Sequence, residues 1–81
     1  MTGVQGRRIL VTGAGTGIGA TTATLLAQRG ARVAILDRDA RAAEAMARQL
    51  GDEQGIGWGG DVTDPAAVDA VLEAMTARWG G

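Results

Sequence analysis

Cysteine and histidine are both absent from the 81 residues. This excludes disulfides, thiolate metal sites, thiol nucleophiles and any histidine-based metal site or catalytic dyad. Serine, tyrosine and lysine are missing as well, and all 8 basic residues are arginine. Several common routes to proton transfer and covalent catalysis are therefore closed. Chemistry carried by this chain alone would rest on Thr, Asp, Glu, Arg or a bound cofactor. An excess of either charge is also lacking: 8 basic and 9 acidic residues leave a net charge of −1. No basic stripe points to nucleic acid and no polybasic segment points to anionic lipid. No apolar run approaches the length needed to span a bilayer, on the order of 20 residues. Residues 1–8 lack the form of a signal peptide. The expectation is a cytoplasmic protein with neither a nucleic-acid nor a membrane partner.

What is present alternates between short apolar runs and helix-favouring runs. A chain of 81 residues makes at most one small domain, with a thin stability margin. Residues 9–12 are apolar and β-branched and lead into a glycine-rich turn, so they read as a buried strand. Residues 18–29 favour helix, with Ile18, Leu25 and Leu26 on one face, Ala23 close by, and Gly30 just past the end. Residues 32–36 form a second strand with Asp37 at its carboxyl end. Asp39 is placed to cap a helix over 40–50, whose Ala43, Met46 and Leu50 share a face. A third strand is expected around 55–60, against the disfavour of glycine in strand interiors, with Asp61 and Val62 closing it. Asp64 and Pro65 supply an N-cap and a proline at N1. After them Val68, Val71, Leu72, Met75 and Trp79 recur at helical spacing, and Trp79 reads as a core anchor.

This order predicts an α/β fold with a Rossmann-type parallel sheet, the first β-α-β-α-β-α half of a doubly wound architecture. The strands are expected in the order 3-2-1, with helices on both faces and right-handed crossovers. Continuous apolar runs in the first two strands fit strands covered on both sides.

The residues that point to chemistry lie between the first strand and the first helix: Thr12, Gly13, Ala14, Gly15, Thr16, Gly17, Ile18 and Gly19. A helix N-terminus presents unpaired N–H groups and a partial positive charge, so a pyrophosphate there gains hydrogen bonds and field stabilisation together. Glycine is needed where the backbone meets the ligand, and Thr16 adds a hydroxyl donor. A glycine-rich loop alone also reads as a tight structural turn. Asp37, at the end of the next strand, is where an acidic residue would bind an adenosine ribose.

The run from Thr12 to Gly19, with its pattern TGxxxGIG, resembles the cofactor motif of the classical short-chain dehydrogenase/reductase family. Residues 17–33 look like that family's first helix and second strand. Asp61-Val62-Thr63-Asp64 is similar to the segment after its third strand, whose Asp-Val pair contacts adenine. The resemblance covers the chain from Arg7 onward. It implies that Gly13, Thr16, Gly17, Ile18 and Gly19 line the pyrophosphate, that Asp37 binds the ribose hydroxyls, and that Asp61 and Val62 flank the adenine. Asp61 also reads as a turn or capping aspartate, and Val62 as plain core. Arg38 reads either as a phosphate-binding guanidinium or as a solvated arginine near Asp39.

The implied cofactor is NAD, with NADP disfavoured by the Asp37 carboxylate. The implied reaction is hydride transfer between the nicotinamide and a small alcohol or carbonyl substrate, in a homo-oligomeric parent enzyme. The family's catalytic Ser, Tyr, Lys and Asn have no counterpart here, since none of the four occurs in the chain. Residues 1–81 are therefore expected to be one partial dinucleotide-binding domain, ending before a fourth strand and inactive alone. The alternatives are a free-standing, non-catalytic nucleotide-binding fragment, and an extended short-chain epimerase. The glycine spacing argues against the epimerase.

Overall fold

The computed structural model describes residues 5–13, 17–51 and 53–80. Six elements alternate along them: β1 (Arg8–Thr12), α1 (Gly17–Gln28), β2 (Arg32–Asp37), α2 (Ala40–Leu50), β3 (Gly55–Gly59) and α3 (Pro65–Trp79). The three strands form one parallel sheet in the order β1-β2-β3, the order expected from sequence read from its other edge. Ile9 pairs with Val33 and Val11 with Ile35. On the other side of β2, Ala34 pairs with Ile56 and Asp37 with Gly59.

β2 is the central strand and is buried from Val33 to Leu36. Successive strand side chains point to opposite faces, so it supplies both cores. Val33 and Ile35 meet Ala23, Ala27, Ala43 and Met46 of α1 and α2, with Ile9 and Val11 packed alongside. Ala34 and Leu36 meet Val71 and Met75 of α3, with Leu10, Ile56, Val68 and Trp79 at the margin. The helices thus lie on both faces, two on one and one on the other.

Local chemistry sets the helix ends. Asp39 caps α2 by accepting the N–H groups of Arg41 and Ala42 at 3.0 and 3.2 Å. Asp64 caps α3 by accepting from Ala66 at 3.0 Å, with Pro65 at the first position. Gly30 closes the α1–β2 turn at a φ of 89°, a conformation L side chains rarely adopt.

Two expectations about packing are corrected. Ile18 is 88% exposed and Leu25 48% exposed, so neither forms the inner face of α1. That face is Ala23 and Ala27, whose small side chains let the helix sit close to the sheet. Leu72, counted with the inner face of α3, is 45% exposed; Val71 and Met75 are the buried pair. Trp79 is half-buried against the α3-side core, and its indole N–H donates to the Glu53 carbonyl at 3.2 Å.

The glycines of β3 also have a physical reason. A Cβ at Gly57 would lie 2.4 Å from the Ala43 carbonyl oxygen, and one at Gly55 would lie 2.7 Å from that of Ala47. At Gly59 it would lie 2.5 Å from the Ala40 Cβ. These three positions share one face of the strand, and α2 lies directly on it. The strand therefore exchanges side chains for a close helix contact. Its other face carries Ile56 and Trp58, with Ile56 packed against the α3-side core.

Candidate functional site

The parallel register aligns the carboxyl ends of all three strands. Thr12 lies beside Leu36, and Asp37 beside Gly59. Crevices at the carboxyl ends of such sheets are where ligands of open α/β folds bind. A cleft of about 400 Å³ opens there, lined by Thr12, Gly13, Asp37, Arg38, Asp61 and Val62 among others, over the buried Leu36. Five of the residues singled out from sequence therefore meet at one place: Gly13, Asp37, Arg38, Asp61 and Val62.

Gly13 leaves β1 at a φ of 68°, and its N–H donates to the Leu36 carbonyl at 2.9 Å, which ties the start of the loop to the end of β2. Gly17 begins α1 at a φ of 62°. A Cβ at either would meet no atom of the described residues within 4 Å. Glycine is required at both by backbone conformation, and the described residues leave space beside them. Gly17, Ile18 and Gly19 form the first turn of α1 rather than the wall of the cleft. No acidic residue occupies that turn to compete for its N–H groups. Thr16 lies outside the described residues.

Asp37 is half-buried at the strand end, and its Oδ1 accepts the backbone N–H of Asp39 at 2.9 Å. That short turn orients the carboxylate at the cleft. Asp61 is organised from the opposite side. Its Oδ1 accepts both the N–H and the hydroxyl of Thr63, at 2.9 and 2.8 Å. Its Oδ2 accepts from Arg38 Nη2 at 2.9 Å. These contacts hold the Asp61 carboxyl below its ordinary range, with the Thr63 N–H the largest cause, then the Thr63 hydroxyl, and Arg38 adding to them. Asp61 is thus a turn aspartate and also a wall of the cleft.

Sequence offers two readings of Arg38, a phosphate-binding guanidinium or a solvated arginine near Asp39; in the structure the side chain is 78% exposed and reaches Asp61, 23 residues away. The only sequence signal for this pair is a cation directly after the Asp37 strand end and an anion two residues past the β3 end. Parallel pairing of β2 with β3 brings those two ends together. Val62 is 54% exposed, so the core reading of it does not hold; its apolar surface belongs to the cleft.

A larger cleft of about 600 Å³ runs along the outer edge of β3 between α2 and α3. Ala47, Ile56, Trp58 and Ala74 contribute its apolar lining, with Glu44, Arg48 and Arg78 at the side. It shares no residue with the glycine loop or the strand ends. Size alone does not make it the site; the smaller cleft holds the convergent polar groups that orient a ligand. Among the described residues no group of three or more His, Cys, Asp or Glu side chains could hold a metal ion, and no helix is long and apolar enough to cross a membrane.

Comparison with known proteins agrees with this geometry. The profile of the family described as short chain dehydrogenase matches residues 7–81. D-threitol dehydrogenase of Mycolicibacterium smegmatis is 46% identical over 79 residues, covering 95% of this chain and 30% of that protein. 3-Oxoacyl-[acyl-carrier-protein] reductase of Vibrio cholerae is 44% identical over 78 residues, covering 96% and 32%. The chain thus spans about a third of the length of these relatives. Among solved structures, 3-ketoacyl-(acyl-carrier-protein) reductase from Brucella melitensis, complexed with NADH, superposes with a TM-score of 0.87 at 39% identity, covering 94% of this chain and 31% of that one. L-Sorbose reductase from Gluconobacter frateurii, complexed with NADPH and L-sorbose, gives 0.85 at 30% identity, covering 99% and 32%. The glycine turn, the strand-end carboxylate and these matches agree: the chain belongs to the short-chain dehydrogenase/reductase family.

Proposed function

We propose that this chain supplies the adenosine and pyrophosphate half of a nicotinamide-dinucleotide site in an oxidoreductase that moves hydride between the nicotinamide and an alcohol or carbonyl carbon. The observation that carries the reading is the placement of Asp37 at the β2 end, in the same cleft as Gly13 and beside the strand-to-helix turn. The residues present fit such a group. The first turn of α1 offers N–H groups to a pyrophosphate, and the described residues leave space beside Gly13 and Gly17. Asp37 is suited to accept from both ribose hydroxyls. Val62 offers exposed apolar surface, and Asp61 a polar edge, to a flat base. Relatives complexed with NADH and with NADPH support a nicotinamide dinucleotide in general.

Between the two cofactors the reading is NAD(H). A 2′-phosphate removes a ribose hydroxyl donor and brings nearly two negative charges against Asp37. Like charges a few ångströms apart cost on the order of 1 kcal/mol even with solvent screening. The nicotinamide, when bound, carries the hydride. This chain's residues bind and orient the far end of the cofactor. Proton transfer at the substrate oxygen falls to residues outside these 81, since Ser, Tyr, Lys and Asn do not occur among them. The 81 residues are accordingly read as the first part of a longer Rossmann domain, which the intact mass of the natural gene product would test. The cofactor choice is tested by calorimetric titration with NAD(H) and NADP(H). Tighter binding of NAD(H) is expected; tighter binding of NADP(H) would overturn the assignment.

A further inference from the structure

The Arg38–Asp61 pair spans the strand-end cleft, and nothing in the dinucleotide reading alone requires it. Arg38 directly follows Asp37 and is the cleft's one guanidinium among its described lining residues. Its side chain is 78% exposed, so packing does not decide where the guanidinium sits. The contact that places it is the 2.9 Å hydrogen bond from Nη2 to Asp61 Oδ2. Asp61 is itself held: both Thr63 donors converge on its Oδ1, and the outer oxygen is turned to Arg38. The Thr63 N–H and hydroxyl, with Arg38, hold the Asp61 carboxyl below its ordinary range, so it carries its charge at neutral pH.

A guanidinium beside the ribose end of the cleft would otherwise suit a phosphate, because arginine donates a planar fork to such anions. We propose that Asp61 is a specificity-determining residue: it competes with a ribose 2′-phosphate for the Arg38 guanidinium, so that Asp61 acts together with Asp37 in disfavouring 2′-phosphorylated nucleotides. Asp37 repels the phosphate, and Asp61 occupies the group that would welcome it. The inference rests on the dinucleotide reading above and adds to it a second residue from a different strand end.

The test is calorimetric titration of the protein with two probes that differ only in the group at issue, adenosine 5′-monophosphate and adenosine 2′,5′-bisphosphate. The quantity read is the ratio of their dissociation constants. Asp61→Asn keeps an oxygen acceptor for Thr63, which preserves the turn, and removes the charge that holds Arg38. The ratio should shift about 1.5- to fivefold toward the bisphosphate, the span set by the worth of an exposed ion pair. Asp61→Asn combined with Arg38→Gln should return the ratio to its original value. Damage to the turn would weaken both probes alike and leave the ratio unmoved. An unmoved ratio in Asp61→Asn, with the monophosphate still bound by the unmutated protein, overturns the tether and leaves the dinucleotide reading standing. A shift that persists in the double variant also overturns it, because removal of a negative charge then suffices without Arg38. Failure of the unmutated protein to bind either probe overturns both readings.

Discussion

Gly57→Ala adds one methyl group at the place where α2 rests on β3. Gly57 has an ordinary negative-φ backbone, so alanine meets no conformational strain there. Restricting the unfolded chain would by itself favour alanine by about 0.4–1 kcal/mol. Packing opposes this. The new Cβ would lie 2.4 Å from the Ala43 carbonyl oxygen, 2.6 Å from its carbonyl carbon and 2.8 Å from the Glu44 nitrogen. All three are backbone atoms in the interior of a helix, so no side chain can rotate away and α2 must lift from the sheet. Overpacking of this kind costs about 1–3 kcal/mol, and lifting α2 also loosens Ala43 and Met46 from the core. The balance is a loss of about 1–2 kcal/mol, which in a domain this small lowers the midpoint by roughly 5–15 °C.

The assay is thermal unfolding followed by circular dichroism. Gly59→Ala serves as a comparison, because there the new methyl group meets the Ala40 Cβ at 2.5 Å, a side-chain atom that can be removed. Ala40→Gly should therefore recover part of the loss from Gly59→Ala, whereas Ala43→Gly should recover none of the loss from Gly57→Ala. An unchanged or raised midpoint for Gly57→Ala would refute the close-contact account of β3.

Four further outcomes are expected. Asp37→Ala should weaken NAD(H) binding about tenfold or more, since hydrogen bonds to a charged group are lost, and should narrow the preference over NADP(H) in titration calorimetry. The purified 81-residue polypeptide should show no cofactor-dependent turnover of alcohols or carbonyls in an absorbance assay at the nicotinamide band; clear turnover would count against the assignment of proton transfer to other residues. The Asp61 carboxyl should titrate below 3.8 by carbon-detected NMR. Its folded pKa is depressed, so its stabilising contribution is present above the unfolded pKa and fades as pH falls through the folded one; acid unfolding of Asp61→Asn should lack that component. The isolated polypeptide should associate at high concentration in sedimentation experiments, because β1 pairs only with β2 among the described strands and its other edge offers unpaired backbone groups; a strictly monomeric species would refute this.

Much of the molecule was legible in one dimension because its determinants are local. Asp39 and Asp64 cap helices through atoms two or three residues away, and Gly30 ends a helix through its own φ. Strand–helix alternation with short connections leaves little choice but a parallel sheet, and that sheet places Gly13 and Asp37 at one end. Those features were determined by sequence alone, as was the glycine pattern of the family. The rest required tertiary structure because it depends on atoms far apart in the chain. Glycines 55, 57 and 59 look like poor strand formers until α2 is laid on them, when they become the reason it fits. Ile18 and Leu25 carry more apolar surface than Ala23 and Ala27, yet the sheet selects the alanines, because a close helix-to-sheet approach rewards small side chains over large ones. Arg38 has carboxylate neighbours in sequence on both sides. Only the register of β2 against β3 decided that its partner is Asp61, since an ion pair answers to distance in space and not to separation along the chain.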